Sequence, residues 1–389
     1  MNFSRIEPKL VLFALVSLIL FVMVFFRPGA TIVKKDDCDA KCFEAKLVAA
    51  ARDKGIGYSL EMLLRLEETE SVVKENCHYI VHSIGWEAYE QQKTIPAALD
   101  MGKLFLTFCE AGFTHGVLEH ALLDTEGSPL SLADVCDRFP SAEDKFLRRH
   151  CFHAIGHALL AQNYELLSAL EECDKTRNYF DAELCHEGVF HELIIPAHLP
   201  KGKQRDAYSH PDDNLWPCAG LPARYSGTCF HWTAATKLYI SAKGDASQAL
   251  ALCQSSGREL KNCSSGVGRI NRSLRDTDDP SVYVNRCLGG PVETSAYCIE
   301  GIVMTFIGMD VLEGRAEILK EKTAYCQASP QSLQSVCFRA LGMLLPYLYT
   351  NRQDQWPVYC RELAGSFASD CSNGAEERYL RNRAYEIVN

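Results

Sequence analysis

Fourteen of the 18 cysteines fall into seven successive couples: Cys136 with Cys151, Cys173 with Cys185, Cys218 with Cys229, Cys253 with Cys263, Cys287 with Cys298, Cys326 with Cys337 and Cys360 with Cys371. The members of a couple stand 10 to 15 residues apart, and the second members recur every 34 to 44 residues. No other property restricts the fold as strongly. A cross-link at the same place in every copy of a short repeat admits a row of small, alike units and little else. Short apolar-periodic runs end at several first cysteines, as in YELLSALEEC to Cys173, DASQALALC to Cys253 and RAEILKEKTAYC to Cys326. Another apolar helix starts after most second cysteines, so each unit reads as a hairpin of helix A and helix B. A small residue returns three positions beyond the second-type cysteine, at Gly112, Ala154, Gly188, Gly266, Gly301, Ala340 and Gly374, with Trp232 as the exception. Glycine inside a helix costs about 1 kcal/mol against alanine, so its return at one offset implies that helices approach closely there.

Two helices per unit at this period predict an all-α solenoid of helical hairpins with one disulfide per repeat, each unit burying its apolar face on its neighbours. A bridge closing a loop of this size contributes about 3 kcal/mol in the chain-entropy picture. On cysteine spacing, small residues and period, residues about 71–389 resemble the disulfide-stapled Sel1-like, tetratricopeptide-type repeats of cysteine-rich secreted solenoids. The aromatic and Leu-Gly positions of those families are largely absent here. The resemblance implies a surface that binds a protein or peptide partner. The four remaining cysteines, Cys38, Cys42, Cys77 and Cys109, allow three connectivities, among which the sequence does not choose.

Ahead of the repeats, residues 10–26 read LVLFALVSLILFVMVFF, with one serine and no charge. At 1.5 Å per residue this approaches the roughly 20 residues that span hydrocarbon, and no small-x-small cleavage pattern follows. A retained transmembrane helix through the lipid bilayer is expected, with a cleaved signal peptide as the rival. Flanking charge barely distinguishes the two orientations. The thiols distinguish them: so many cysteines suit an oxidising space, which puts residues 1–9 in the cytoplasm and the main domain in the periplasm or outside the cell. The remainder divides into a stalk and first helix (27–70), histidine-rich repeats (71–240) and carboxy-terminal repeats (241–389). A net charge of −10 without a long Lys/Arg block argues against a nucleic-acid partner.

All 12 histidines lie between His78 and His231. Counted from the second-type cysteine, position six is His115, His157 and His191 in three consecutive units, and position two is His153, Glu187 and His231 in the later ones. Offsets two and six share a helix face, and stacking sets the faces of neighbouring units side by side. The candidate metal ligands are therefore His115, His153, His157, Glu187, His191 and His231. An HxxxH pair such as His153/His157 offers two imidazoles one turn apart, and a transition metal such as zinc, copper, iron or manganese accepts such a set with carboxylate. His78/His82 has the same spacing, and Glu75 and Glu183 precede His78 and His186 by three, the ExxH spacing of carboxylate-bridged di-iron bundles. HEGVFH misses the HExxH protease pattern by one residue, and there is no CxxCH, GxSxG or GxxxxGK[ST]. The competing expectation is a metal-free protein- or peptide-binding scaffold of the cell envelope, in which the histidines only pack.

Overall fold

The computed structural model describes residues 38–106, 108–124, 136, 145–163, 165–176, 179–194, 213–273, 277, 279–305, 315–349 and 352–388. It separates a short unit, Met1–Asp39, from the body, Ala40–Asn389. The expected anchor at 10–26 lies outside the described residues, as do residues 195–212. Among those described there is no strand, and no helix is long and apolar enough to cross a membrane.

The body opens with α1 (Ala40–Lys54), α2 (Ile56–Thr69) and the short α3 (Ser71–Glu75). Where a stalk and one helix were expected, two helices pack, α1 against the helix that starts at Cys77. Polar contacts fasten them: Arg52 to Glu87 at 2.8 Å and Tyr79 Oη to Glu44 at 2.7 Å. Then follow α4 (Cys77–Gln92), α5 (Ile95–Met101), α6 (Phe108–Asp124) and α7 (Lys145–Asn163). From there the hairpins are regular. Helix α8 (Leu166–Cys173) leads to α9 (Tyr179–Glu192), and α10 (Ala223–Cys229) runs through a π turn, Phe230–Ala234, into α11 (Ala235–Ser241). The remaining A/B pairs are α12 (Ala246–Leu252) with α13 (Leu260–Ser273), α14 (Pro280–Leu288) with α15 (Val292–Met304), α16 (Arg315–Ala328) with α17 (Gln331–Leu348), and α18 (Trp356–Ala364) with α19 (Ala368–Val388).

All seven expected couples are disulfides. Cys136 is bonded to Cys151, Cys173 to Cys185, and Cys218 to Cys229, with Cα–Cα distances of 5.7, 5.5 and 5.4 Å. Cys253 is bonded to Cys263 and Cys287 to Cys298, at 5.7 and 5.6 Å. Cys326 is bonded to Cys337 and Cys360 to Cys371, at 5.3 and 5.5 Å. In the hairpins from α12 onward, Cys263, Cys298, Cys337 and Cys371 all lie in the first two turns of their B helices, so each bridge pins the start of B to helix A or to the residue that ends it. Cys77 pairs with Cys109, which ties two B-type helices together, and Cys38 and Cys42 are also disulfide-bonded. Four of the A helices, α8, α12, α14 and α18, are only 7 to 9 residues long. In α8, Leu166, Ala169, Leu170 and Cys173 are buried while Leu167 is exposed, the spacing of a single apolar stripe. Two B helices are covered nearly all round: every described side chain from Ala111 to Glu119 in α6, and from Cys151 to Ala158 in α7, is buried.

Prolines mark the change from A to B, because a residue that cannot continue a helix sets the start of the next. Pro222, Pro291 and Pro330 stand immediately before α10, α15 and α17. The B helices form a succession, α4 on α6, α6 on α7, α7 on α9, α9 on α10, the π turn on α13, α13 on α15, α15 on α17 and α17 on α19. It also returns on itself, since α19 touches α9 and Arg378 pairs with Glu183.

Glycines account for how closely neighbouring B helices pack. A Cβ on Gly188 would lie 1.9 Å from the His153 carbonyl oxygen, one on Gly301 1.9 Å from that of Ser265, and one on Gly374 1.9 Å from that of Arg339. Gly156 and Gly342 answer from the opposite helix, where a Cβ would meet the Cys185 oxygen at 2.0 Å and the Cys371 oxygen at 1.8 Å. Trp232 breaks the small-residue rule where the backbone widens into the π turn, a local expansion that gives a large side chain room.

We expect Gly188→Ala to cost about 1–3 kcal/mol or more, because backbone rather than a flexible side chain must give way. Gly57→Ala, an exposed helical site where an added Cβ meets nothing within 4 Å, should be neutral or stabilising by up to about 1 kcal/mol. Denaturant midpoints of the two variants measure the contrast.

Candidate metal centre

The close contacts of α4 with α6, and of α7 with α9, carry imidazoles into register. Gly116, beside His115, sits on the His82 carbonyl, where a Cβ would come within 2.0 Å. His78 and His82 on α4 meet His115 of α6, and His153 and His157 on α7 meet His191 of α9. In each group of three, the potential ligand atoms lie within 4.8 Å of one another. The groups also face each other. The His115 ring stacks on His153 at 5.3 Å, and His82 and His157 are 6.3 Å apart between centroids. These separations are close to those inside a triad, such as 5.4 Å for His78/His82 and 4.9 Å for His153/His157. Six imidazoles thus form one continuous cluster.

Behind each triad stands a fully buried carboxylate. Glu192 Oε2 is 2.7 Å from His157 Nδ1, and Glu119 Oε2 is 3.3 Å from His82 Nδ1. When ionised, a carboxylate on Nδ1 holds the proton there and turns Nε2 toward a metal as a lone-pair donor; because burial keeps both carboxyls protonated in the metal-free chain, metal uptake would release their protons. His157 Nε2 is buried without a hydrogen-bond partner, as is His115 Nδ1. Such orphaned atoms are costly in a folded core and call for a ligand. The other ring nitrogens make short contacts, His153 Nε2 to His191 Nδ1 at 3.1 Å and His115 Nε2 to His150 Nδ1 at 2.8 Å. Adjacent ligands on a tetrahedral ion with metal–nitrogen bonds of about 2.0–2.1 Å lie roughly 3.3 Å apart, so the widest pairs of each triad would close by up to about 1.5 Å around an ion.

Burial keeps this cluster uncharged. It drives His157 down to about 3 and His115, His153 and His191 well below the ordinary imidazole value, with neighbouring imidazoles adding to the effect. Burial also raises Glu192 to about 8 and Glu119 well above the usual carboxylate range, the latter helped by the nearby Glu192. Neutral imidazole is the metal-binding form. In chelator-treated protein the histidine part of the stability is intact above the unfolded pKa near 6.5 and is lost as pH falls toward 3. The carboxyl part runs oppositely: it is intact below about 4.5 and lost as pH rises toward 8. Far-UV dichroism against pH should therefore show acid unfolding that begins below about 6.5 and takes up several protons.

Of the six ligands expected from the sequence, His115, His153, His157 and His191 lie in the triads. Glu187 and His231 do not. Glu187 is held 3.7 Å from Arg149, and burial raises it to about 7. His231 lies on the π turn, its ring 6.1 Å from that of Trp232, and burial lowers it to about 3. Both line a cavity of about 360 Å³ that His78, His115, His153 and His191 also line. His78 and His82 complete the first triad, although they fall one position short of the repeat offsets. The ExxH pairs do not assemble: Glu75 is exposed, Glu183 pairs with Arg378, and His186 contacts the Leu170 carbonyl and Asp174. Comparison of the chain with protein-family models, with curated proteins and with solved structures finds no match.

Proposed function

We propose that the chain is an extracytoplasmic metalloprotein, tethered by residues 10–26, which holds two transition-metal ions on the two facing histidine triads and works on a substrate in the adjoining cavity. The observation that carries this reading is the pairing of each triad with a buried carboxylate, together with the orphaned Nε2 of His157. His157 Nε2 and His115 Nδ1 are buried without a hydrogen-bond partner, and the ligand atoms of each triad lie within 4.8 Å of one another, which supports a shared ion over packing alone. Imidazole-only sets suit zinc, copper or iron better than manganese, which favours oxygen ligands. Three protein ligands leave at least one coordination position open, so an ion here can polarise or activate a small molecule entering from the cavity. The buried disulfides support an oxidising compartment, where these cysteines stay paired.

The deciding experiment is elemental analysis and X-ray absorption on the disulfide-intact chain. About two ions per chain, each in a nitrogen-dominated shell, is the expected result. Fully folded chain that takes up no zinc, copper or iron removes the proposal and leaves the scaffold.

A further inference from the structure

The cavity beside the triads differs in charge from the rest of the molecule. Its lining carries five Lys and Arg side chains against three Glu, an excess of two positive charges in a chain whose net charge is −10. Three of the cations come from three different B helices: Arg149 of α7, Arg269 of α13 and Arg378 of α19. Arg269 lies over the Trp232 ring, 3.9 Å from its centroid, and donates to Thr236 Oγ1 at 3.3 Å. Stacking engages the face of the guanidinium and fixes the plane of its N–H fork. Trp232 in turn abuts the second triad, 5.0 Å from the His191 ring and 5.7 Å from that of His153. Arg378 is almost buried, pairs with Glu183 and lies over Phe180 at 5.2 Å. Glu187, beside Arg149, has its Oε2 buried and without a hydrogen-bond partner. Met304, Met343 and Trp232 supply the apolar part of the wall.

We infer that this cavity binds a small organic anion, whose carboxylate or phosphate group is held by Arg269 with Arg149 and Arg378 and whose other end is presented to the His153/His157/His191 triad. The orientation rests on the metal reading above; the anion site itself does not. Guanidinium forks match carboxylate and phosphate geometry bidentately, and their attraction is much less screened in a recess than at an open surface. At about 360 Å³ the volume suits a metabolite-sized ligand rather than a peptide segment. The apolar wall favours an anion with a compact hydrophobic or aromatic body over a bare inorganic ion.

The test is calorimetric titration of the disulfide-intact chain with benzoate and with inorganic phosphate, with benzyl alcohol as the uncharged control and metal content measured on the same samples. Saturable binding of at least one anion, and none of benzyl alcohol, is expected. Arg269→Gln should weaken it at least tenfold and Arg269→Lys less, with metal content and far-UV dichroism unchanged; Arg149→Gln serves as a second variant should Arg269→Gln fail to fold. Tighter binding of benzoate or of phosphate identifies the head group. The site is overturned if neither anion binds saturably, or if the folded arginine variants bind as the native chain does. Anion binding by a chain that takes up no metal would sink the metal reading alone, and metal uptake without anion binding would sink the cavity alone.

Discussion

A chain carrying His153→Ala and His157→Ala together is expected to hold about one metal ion where the native chain holds about two, because a triad reduced to one imidazole no longer forms a transition-metal site. The His78/His82/His115 triad is supplied by other helices and should keep its ion. His82→Ala/His115→Ala should give the mirror result. The two double variants then separate a two-ion centre from a single ion shared by the whole cluster, which either pair would abolish. Glu192→Gln keeps the shape at His157 but removes the carboxylate that orients the ring, and losing such a partner typically weakens metal affinity 10–100-fold. His231→Ala and Glu187→Ala, outside both triads, should leave the count unchanged. Native-like dichroism and complete disulfide formation are required of every variant compared. A metal content indifferent to either double substitution in folded protein would show that the triads are not the site.

Most of the architecture was legible because it follows from covalent and steric rules that act locally. A disulfide joins the end of one helix to the start of the next, so couples such as Cys253 with Cys263, Cys287 with Cys298 and Cys326 with Cys337 announce themselves by spacing alone. Gly188, Gly266 and Gly301 return at one offset because a carbonyl of the preceding B helix occupies the place of their Cβ. His153, His157 and His191 were legible for the same reason, since they follow the repeat. His78 and His82 were legible as an HxxxH pair, but their union with His115 was not, because the first unit's cysteine bridges to Cys109 on another B helix and its imidazoles start one residue earlier. Glu119 and Glu192 occupy no common offset. They come together only through packing of α6 and α9 beside α4 and α7, which one-dimensional spacing does not encode. Glu187 and His231 were expected as ligands because they share the offset; they lie outside the two triads, on the wall of the cavity that His78, His115, His153 and His191 also line. The contact of α19 with α9 joins residues 195 positions apart, a separation on which a repeat pattern says nothing.

The same staples predict that the chain, once opened and reduced, does not return to its fold until the sulfurs are paired again. Helices α8, α12, α14 and α18 are 8, 7, 9 and 9 residues long. Isolated helices shorter than about 12–15 residues are marginal in water, so these outer helices persist only while held against their B partners. Each bridge contributes about 3 kcal/mol by restricting the unfolded chain, and seven of them together exceed the roughly 5–15 kcal/mol by which domains are usually stable. Contributions from neighbouring units do not simply add, yet even half of that sum is the whole margin. The cysteines of the seven couples are completely buried, so dithiothreitol alone should act slowly on the native protein. Reduction in denaturant followed by dilution should leave a chain with little cooperative melting, and reoxidation should restore it. Removing one staple, as in Cys360→Ala/Cys371→Ala, should cost about 3 kcal/mol and leave the fold standing. Dichroism and thermal melting of the reduced, alkylated chain decide the matter. A native-like spectrum with a cooperative transition would show that packing of the B helices suffices without the sulfurs, and that their spacing records the fold rather than sustaining it.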